Sequence, residues 1–162
     1  MPDAWSLAQV GRAVKEYNVE GPVLDVGAGT FSNWFRPHFE KANLWYVTLD
    51  ADAHEGIDIV GTVPNVVLPY PYPTIMCLSV LEHTDDPKAV VDWCIANLLP
   101  RGHLFLAAPC SWPQHDYPHD FWRILPDGVR WLMRDLEVLE VVTEHEDLST
   151  KNQLFAVGRK KE

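Results

Sequence analysis

A carboxylate and two glycines stand at the end of a short apolar run near the start of the chain. Asp25 lies within the run Val23–Val26, and Gly27 and Gly29 follow it directly. This pattern predicts a buried strand that enters a tight turn. Because glycine has no Cβ and adopts positive φ readily, the backbone of such a turn can lie close against a ligand. A polar run from Thr30 then opens a helix, and this order of elements predicts a nucleotide-binding corner.

The spacing of the glycines distinguishes between kinds of nucleotide. A dinucleotide fingerprint has a third glycine three residues after the second, and Ser32 stands at that place here. Asp25 lies where it would repel a pyrophosphate and attract a cation. The ammonium group of S-adenosylmethionine meets that demand. A tight strand-to-helix turn without a ligand stays open as the alternative for this motif taken alone.

A second carboxylate, that of Asp50, follows the glycine turn at a distance along the chain that is typical of a ribose-binding residue. Asp50 ends the aromatic and β-branched run of residues 44–50, which predicts a strand. In doubly wound folds, an acidic residue about 20 residues after the glycine turn hydrogen-bonds ribose hydroxyls. Asp50 has this spacing from Gly29, and we favour the ribose role. The alternative is that Asp50 and Asp52 cap the next turn.

A polar and aromatic run at residues 109–123 predicts a long loop that carries chemistry. His115 and His119 are the candidate bases for removing a proton from a substrate, because histidine as a residue type changes its charge near neutral pH. Asp120 could orient one imidazole, and Arg123 could hold an acidic substrate. A polar network that only fixes the loop to the domain is the alternative.

The cysteines do not form a recognisable metal or disulfide pattern. Cys77, Cys94 and Cys110 are widely spaced in apolar surroundings, which predicts buried free thiols. Cys110 with His115 and His119 would suit zinc in ligand type, but a fourth ligand is lacking. The sequence therefore predicts no metal site.

Composition limits the function classes. The chain has 162 residues, a net charge of −10 and a pI of about 5.0. One domain over residues 1–162 is expected from this length. The acidic surface repels phosphate backbones, so nucleic acid is not an expected partner. Neither a signal peptide nor an apolar run long enough to span a membrane is evident, and a cytoplasmic location is expected.

Apolar patterns predict the elements that position these residues. Strands are expected at residues 23–26, 44–50, 57–60, 74–81, 103–108, 136–143 and 153–158, and helices at residues 4–17, 32–39, 87–98 and 126–134. Their alternation predicts an α/β fold with a mostly parallel sheet, helices on both faces and an antiparallel C-terminal hairpin. Ligands bind such sheets beyond the carboxyl ends of the strands. We therefore expect one mouth to collect Asp25, Asp50, the segment Ser79–His83 and the loop of residues 109–123, called the histidine loop below. Within that segment, Glu82 is expected to accept hydrogen bonds from backbone amides near the next helix start, or to complement the charge of that helix start.

Five segments carry a family resemblance, at residues 23–30, 46–50, 77–87, 98–104 and 118–123. Through them the sequence resembles the class I S-adenosylmethionine-dependent methyltransferases, over nearly its whole length. It is most similar to small methyltransferase-like proteins with a Pro-His-Asp-aromatic-aromatic-Arg segment, here Pro118–Arg123. The run Leu81–His83 before an Asp-Pro helix start is more specific than the glycine turn. The resemblance implies a Rossmann-like doubly wound fold.

The resemblance also implies a distribution of binding roles around S-adenosylmethionine. The methionine end would be held by Asp25, Gly27, Ala28 and Gly29. The remaining implied contacts are Asp50 on the ribose, Ala51 at the adenine edge, Thr62 and Val63 near adenine, and Leu78, Ser79 and His83 beside the sulfonium.

Two functions from different classes follow. The first is a methyltransferase that acts on an oxygen or nitrogen of a small-molecule or glycan acceptor. The second is a non-catalytic module with this cofactor fold that acts by binding a protein. The chain has little beyond the minimal fold, so its loops, a protein partner or a second copy would have to complete an acceptor pocket.

Overall fold

The computed structural model describes residues 4–115 and 119–162, without the side chains of residues 31–33. These described residues form seven strands: β1 (Val23–Val26), β2 (Tyr46–Asp50), β3 (Ile59–Val60), β4 (Tyr72–Leu78), β5 (Leu98–Ser111), β6 (Glu137–Thr143) and β7 (Asn152–Arg159). The α-helices are α1 (Ala4–Glu16), α2 (Ser32–Glu40), α3 (Pro87–Ala96) and α4 (Pro126–Leu132). Short 3₁₀ turns lie at Gly29–Phe31 and Leu81–His83.

The strands form one sheet in the order β3-β2-β1-β4-β5-β7-β6. The strands β1 to β5 pair in parallel, whereas β7 runs antiparallel to both β5 and β6. The predicted mostly parallel sheet with an antiparallel C-terminal hairpin is therefore confirmed. From β1, the strands β2 and β3 are added on one side of the sheet, whereas β4 and β5 are added on the other side. Such a switch point leaves a crevice at the carboxyl ends of the two central strands, β1 and β4.

Two apolar cores lie on opposite faces of the sheet. In β1, Val23 packs in the core with Val10 of α1 and Phe39 of α2. Its neighbour Leu24 packs in the other core, with Val90 of α3 and Val129 of α4. This alternation follows from the period of two along a strand. Helices cover both faces, as predicted.

Local sequence signals set several boundaries. The side chain of Asp86 accepts a hydrogen bond from the Ala89 amide at 2.9 Å, and Pro87 takes the first helical position, so α3 begins where the Asp-Pro pair predicts. The fourth strand ends at Leu78, three residues earlier than predicted, because Ser79 adopts φ of 54° and leaves the strand. The fifth strand begins earlier than predicted, since Leu98 already pairs with Tyr72. Within the described parts of the chain, no helix is long and apolar enough to cross a bilayer.

Candidate active site

The glycine turn and the end of β2 are joined directly. The amides of Gly27 and Ala28 donate to the Leu49 carbonyl at 2.8 and 3.1 Å. The Gly29 amide donates to Asp50 Oδ2 at 2.8 Å, and the Asp52 amide donates to Asp50 Oδ1 at 3.0 Å. The two motifs that the sequence singled out separately are thus one structural unit at the mouth of the sheet.

Both glycines adopt a backbone conformation that other residues rarely take. Gly27 has φ of 69° and Gly29 has φ of 51°. A Cβ on Gly27 would lie 2.4 Å from Val80 Cγ2, so this glycine is needed for the close approach of the turn to the end of β4. Among the described atoms, a Cβ on Gly29 would approach Asp50 Oδ2, at 4.0 Å, which is an ordinary van der Waals distance.

Asp25 is buried within β1 and is held by the neighbouring strand. It is 4% exposed, and its Oδ2 accepts a hydrogen bond from the Tyr46 hydroxyl. The Arg36 guanidinium lies over the Tyr46 ring, 4.9 Å from its centre. Burial raises the pKa of Asp25 to about 7, while the Tyr46 hydrogen bond acts in the opposite direction. Tyr46 was not among the predicted site residues, although its place in the aromatic run of the second predicted strand was a visible signal.

The other residues assigned to the cofactor lie at the ends of strands around the same mouth. The Gly61 amide donates to the Asp50 carbonyl at 2.8 Å, which brings Thr62 and half-buried Val63 beside the end of β2. Leu78 is buried, whereas Ser79 is exposed just past the end of β4, where its amide donates to the Ala107 carbonyl at 2.9 Å. The exposed Ala51 directly follows Asp50.

The histidine loop is fastened to the 3₁₀ turn that follows β4. The Phe121 amide donates to the Glu82 carbonyl at 2.7 Å, and Trp122 Nε1 donates to the Thr84 carbonyl at 2.8 Å. His83 Nδ1 lies 2.8 Å from the His119 carbonyl oxygen. The loop therefore lies over the Leu-Glu-His turn, as the predicted convergence required.

The two histidines predicted as bases occupy different surroundings. The His115 ring makes an edge contact with the His83 ring, with centres 5.3 Å apart, and His115 Nδ1 lies 3.4 Å from Asp120 Oδ2. The His119 ring is exposed and stacks on Phe121. The residue before His119, Pro118 of the family segment, lies outside the described residues.

Asp120 and Arg123 form an anchor inside the loop. Arg123 donates two hydrogen bonds of 2.6 Å to the Asp120 carboxylate. Its other three N–H groups donate to the carbonyls of Trp112, Pro113 and Trp122 at 2.7 to 3.0 Å. The paired guanidinium holds the pKa of Asp120 well below its usual range. Arg123 has no N–H left to hold an acidic substrate. Its contacts match the other possibility considered from the sequence, a polar network that fixes the loop in place.

In the described part of the chain, the Glu82 side chain does not make the hydrogen bonds to backbone amides of the next helix that the sequence led us to expect. Its side chain is 1% exposed, and its carboxylate oxygens have no hydrogen-bond partner among the described residues apart from their own backbone amide. The expected bonds to amides of the next helix are therefore absent from the described structure, because Asp86 caps that helix. Burial raises the pKa of Glu82 to about 7, against the opposing effects of its own amide and of His83.

Solved structures show which class of protein has this fold. The chain superposes with a TM-score of 0.75 on an S-adenosylmethionine-dependent methyltransferase from Clostridium acetobutylicum, at 9% identity, covering 99% of this chain and 93% of that one. It superposes with a TM-score of 0.72 on the N-methyltransferase NodS from Bradyrhizobium japonicum in complex with S-adenosyl-L-homocysteine, at 17% identity, covering 98% and 87%. At these identities the likeness shows the fold, which is that of the class I methyltransferases.

The family follows from the sequence itself. The methyltransferase domain family matches residues 6–146, and the chain belongs to this family. The resemblance stated from the sequence is therefore confirmed. A ubiquinone biosynthesis O-methyltransferase from Xylella fastidiosa is 46% identical over 39 residues, which cover 24% of this chain and only 16% of that protein.

Proposed function

We propose that this chain transfers a methyl group from S-adenosylmethionine to an oxygen or nitrogen atom of a small-molecule or glycan acceptor, as one domain spanning residues 1–162. The observation that carries the proposal is the bond between the Gly29 amide and Asp50 Oδ2. It makes the glycine turn and the acidic end of β2 one cradle at the switch point of the sheet, where ligands of such folds bind.

The residues present fit this cofactor. Each Asp50 oxygen accepts one backbone hydrogen bond and retains capacity to accept another from a ribose hydroxyl. Ala51, Thr62 and Val63 lie on the side where adenine would rest. When bound, S-adenosylmethionine supplies a methyl group on a positively charged sulfur.

The methionine end of the cofactor is assigned to the glycine turn. Gly27, Ala28 and Gly29 would present backbone without side-chain obstruction, and Asp25 would contribute negative charge from beneath the turn. Leu78, Ser79 and His83 would border the sulfur. The exposed position of Ser79 at the strand end supports this placement.

His115 and His119 are the residues proposed to handle the proton that an acceptor hydroxyl or amine loses. Asp120, 3.4 Å from His115 Nδ1, would stabilise a protonated imidazole. The exposed ring of His119 lies on the same loop. The loop residues Phe121 and Trp122 are 49% and 43% exposed, and their faces suit a flat or sugar-like acceptor.

The cofactor site is tested by calorimetric titration of the folded chain with S-adenosylhomocysteine. Binding should weaken at least about tenfold in Asp50→Ala, because a buried charge-assisted hydrogen bond to ribose is lost. Asp52→Ala is the matched control on the same loop, and it should bind as the wild type does. Equal affinity in both variants would remove Asp50 from the site. A folded wild-type chain that does not bind would move the assignment to the protein-binding module.

The proton-handling role is tested by transfer of a radiolabelled methyl group to a panel of hydroxyl- and amine-bearing small molecules and glycans. His115→Ala and His119→Ala should retain S-adenosylhomocysteine affinity. At least one should lower the transfer rate by about 10²–10⁴-fold, the usual contribution of a general base. A rate that survives both substitutions would show that neither histidine serves as the base.

A further inference from the structure

We propose that Glu82, His83 and His115 bind a divalent transition-metal cation at the inner edge of the histidine loop. One ligand atom from each of these side chains lies within 4.8 Å of the others. The three residues come from two segments, the 3₁₀ turn after β4 and the loop after β5, which the hydrogen bonds from Phe121 and Trp122 hold together. This metal site was not predicted from the sequence.

Glu82 is the observation that points to a ligand. Its carboxylate is almost fully enclosed, and among the described residues its oxygens have no hydrogen-bond partner beyond their own amide. A buried polar group without a partner is costly, and such groups in native proteins are normally paired or coordinate metals. A cation at this place would supply the missing partner.

His83 is oriented as a metal ligand is. Its Nδ1 donates to the His119 carbonyl at 2.8 Å, and in the neutral imidazole this makes Nε2 the nitrogen with a lone pair for a metal. Nε2 lies 3.8 Å from Glu82 Oε1. Histidines that bind metals almost always donate their other ring N–H to a carbonyl or carboxylate in this manner.

The surrounding charges favour a cation. The positive charge of Arg123 is paired with Asp120, which also lies 3.4 Å from His115 Nδ1. The pair is close to neutral overall, so it does not repel a cation bound beside the Glu82 carboxyl group. A second group, formed by Asp50, Asp52 and His54, also brings ligand atoms together. It is open to solvent, and Asp50 is already bonded to two backbone amides there.

The ligand types select the kind of ion. Two imidazoles and one carboxylate suit zinc and similar divalent transition metals, and three protein ligands leave a position open. Tetrahedral ligands at about 2.0–2.1 Å from zinc lie about 3.4 Å apart, so the three side chains have to move closer together when the ion binds.

The chemical use of this metal site rests on the proposed function. A bound cation would lower the pKa of an acceptor hydroxyl that it contacts. The proton of that hydroxyl would pass to His119 or to water, so His115 would act as a metal ligand and His119 as the proton acceptor.

Cobalt is the probe for this site, because its visible spectrum reports the ligands. The wild-type chain of residues 1–162, titrated with Co²⁺, should bind one equivalent and show d–d bands without a thiolate charge-transfer band. Glu82→Gln and His115→Ala should each weaken binding at least about 100-fold, since loss of a mere outer-shell partner costs 10–100-fold. His145→Ala, on the turn between β6 and β7, is the matched histidine control and should bind as the wild type does.

Three results would overturn the proposal. The first is a folded wild-type chain that takes up no equivalent of Co²⁺. The second is binding that survives both Glu82→Gln and His115→Ala, each verified as folded by its thermal midpoint. The third is loss of binding in His54→Ala, which should leave binding unchanged, because such a loss would place the ion at the exposed group of Asp50, Asp52 and His54 instead.

A wrong metal-site proposal can be distinguished from a wrong methyltransferase proposal. The same wild-type preparation is titrated with S-adenosylhomocysteine alone. Cofactor binding without Co²⁺ binding overturns only the metal site. Co²⁺ binding without cofactor binding overturns only the methyltransferase assignment, because the metal is detected by its own spectrum.

Discussion

The Tyr46 hydroxyl donates its hydrogen bond to Asp25, so the carboxylate beneath the glycine turn is held from the neighbouring strand. This bond crosses from β2 to β1 within the buried face of the sheet. Despite it, burial raises the pKa of Asp25 to about 7. The charge state of the cradle is therefore coupled to the stability of the sheet.

Asp25 should make stability depend on pH between about 4 and 7. The unfolded carboxyl has a pKa of about 3.9 and loses its proton first as the pH rises, while the folded one retains it. The free energy of unfolding should therefore fall by up to about 1.4 kcal/mol per pH unit from this group until the pH passes the folded pKa. Asp25→Asn removes this contribution.

Urea unfolding from pH 4 to pH 8 checks this prediction. Relative to the wild type, Asp25→Asn should gain stability as the pH rises. Asp52→Asn, at an exposed position, should show a constant difference from the wild type. A constant difference for Asp25→Asn as well would contradict the raised pKa.

Gly27→Ala should be strongly destabilising. The new Cβ would lie 2.4 Å from Val80 Cγ2 at a residue with φ of 69°. Left-handed strain and overpacking together should cost about 2–4 kcal/mol of unfolding free energy, measured by urea titration. Gly56→Ala is the control, because Gly56 has φ of 87° but no heavy atom of the described residues within 4 Å of its Cβ position.

The clash can be separated from the strain. Adding Val80→Ala to Gly27→Ala should recover part of the loss, since the offending methyl group is removed. A double variant that is no more stable than the sum of the two single substitutions would place the cost in the backbone alone.

Asp120→Asn should loosen the anchor of the histidine loop. Breaking this partly buried pair with Arg123 should cost about 1–3 kcal/mol at pH 7, between the values for surface and buried pairs. Because the folded pKa of Asp120 is depressed, its contribution is present above about pH 4 and is lost as the pH falls towards the folded pKa. Equilibrium unfolding of the wild type and the variant from pH 2 to pH 7 measures the difference.

The exposed pair of Arg159 with Glu137 offers the matched comparison. Arg159 donates two hydrogen bonds to Glu137 Oε2, of 3.0 and 2.7 Å, but both side chains are well exposed. Glu137→Gln should therefore cost less than about 1 kcal/mol. Equal losses of unfolding free energy in Asp120→Asn and Glu137→Gln would show that burial of the Asp120–Arg123 pair does not increase its contribution to stability.

Asp86→Ala should remove the cap of α3. The Asp86 side chain satisfies the Ala89 amide, which lacks a partner within the helix. Loss of the cap should lower the unfolding free energy by about 1 kcal/mol. The neighbouring Asp85→Ala, one residue outside the cap, should stay within about 0.5 kcal/mol, and an equal effect of both would contradict the capping role.

Much of this protein follows from local patterns. The apolar run at Val23–Val26 with its glycines predicted β1 and the turn, and the Asp-Pro pair predicted the start of α3. Such features depend on neighbours in the chain, through backbone conformation and capping. The mouth of the sheet was also predictable, because the carboxyl ends of parallel strands meet at one edge.

By itself, then, the sequence determined the family, the order of strands and helices, and the pairing of a glycine turn with Asp50. Only the tertiary structure decided that Tyr46 holds Asp25, that Arg123 has all its donors occupied, and that Glu82 and His83 meet His115. These contacts join distant segments, and several end on backbone carbonyls such as that of His119, which no residue type reveals. Their geometry depends on how the loop after β5 settles over the turn after β4, and packing of the two segments sets that position.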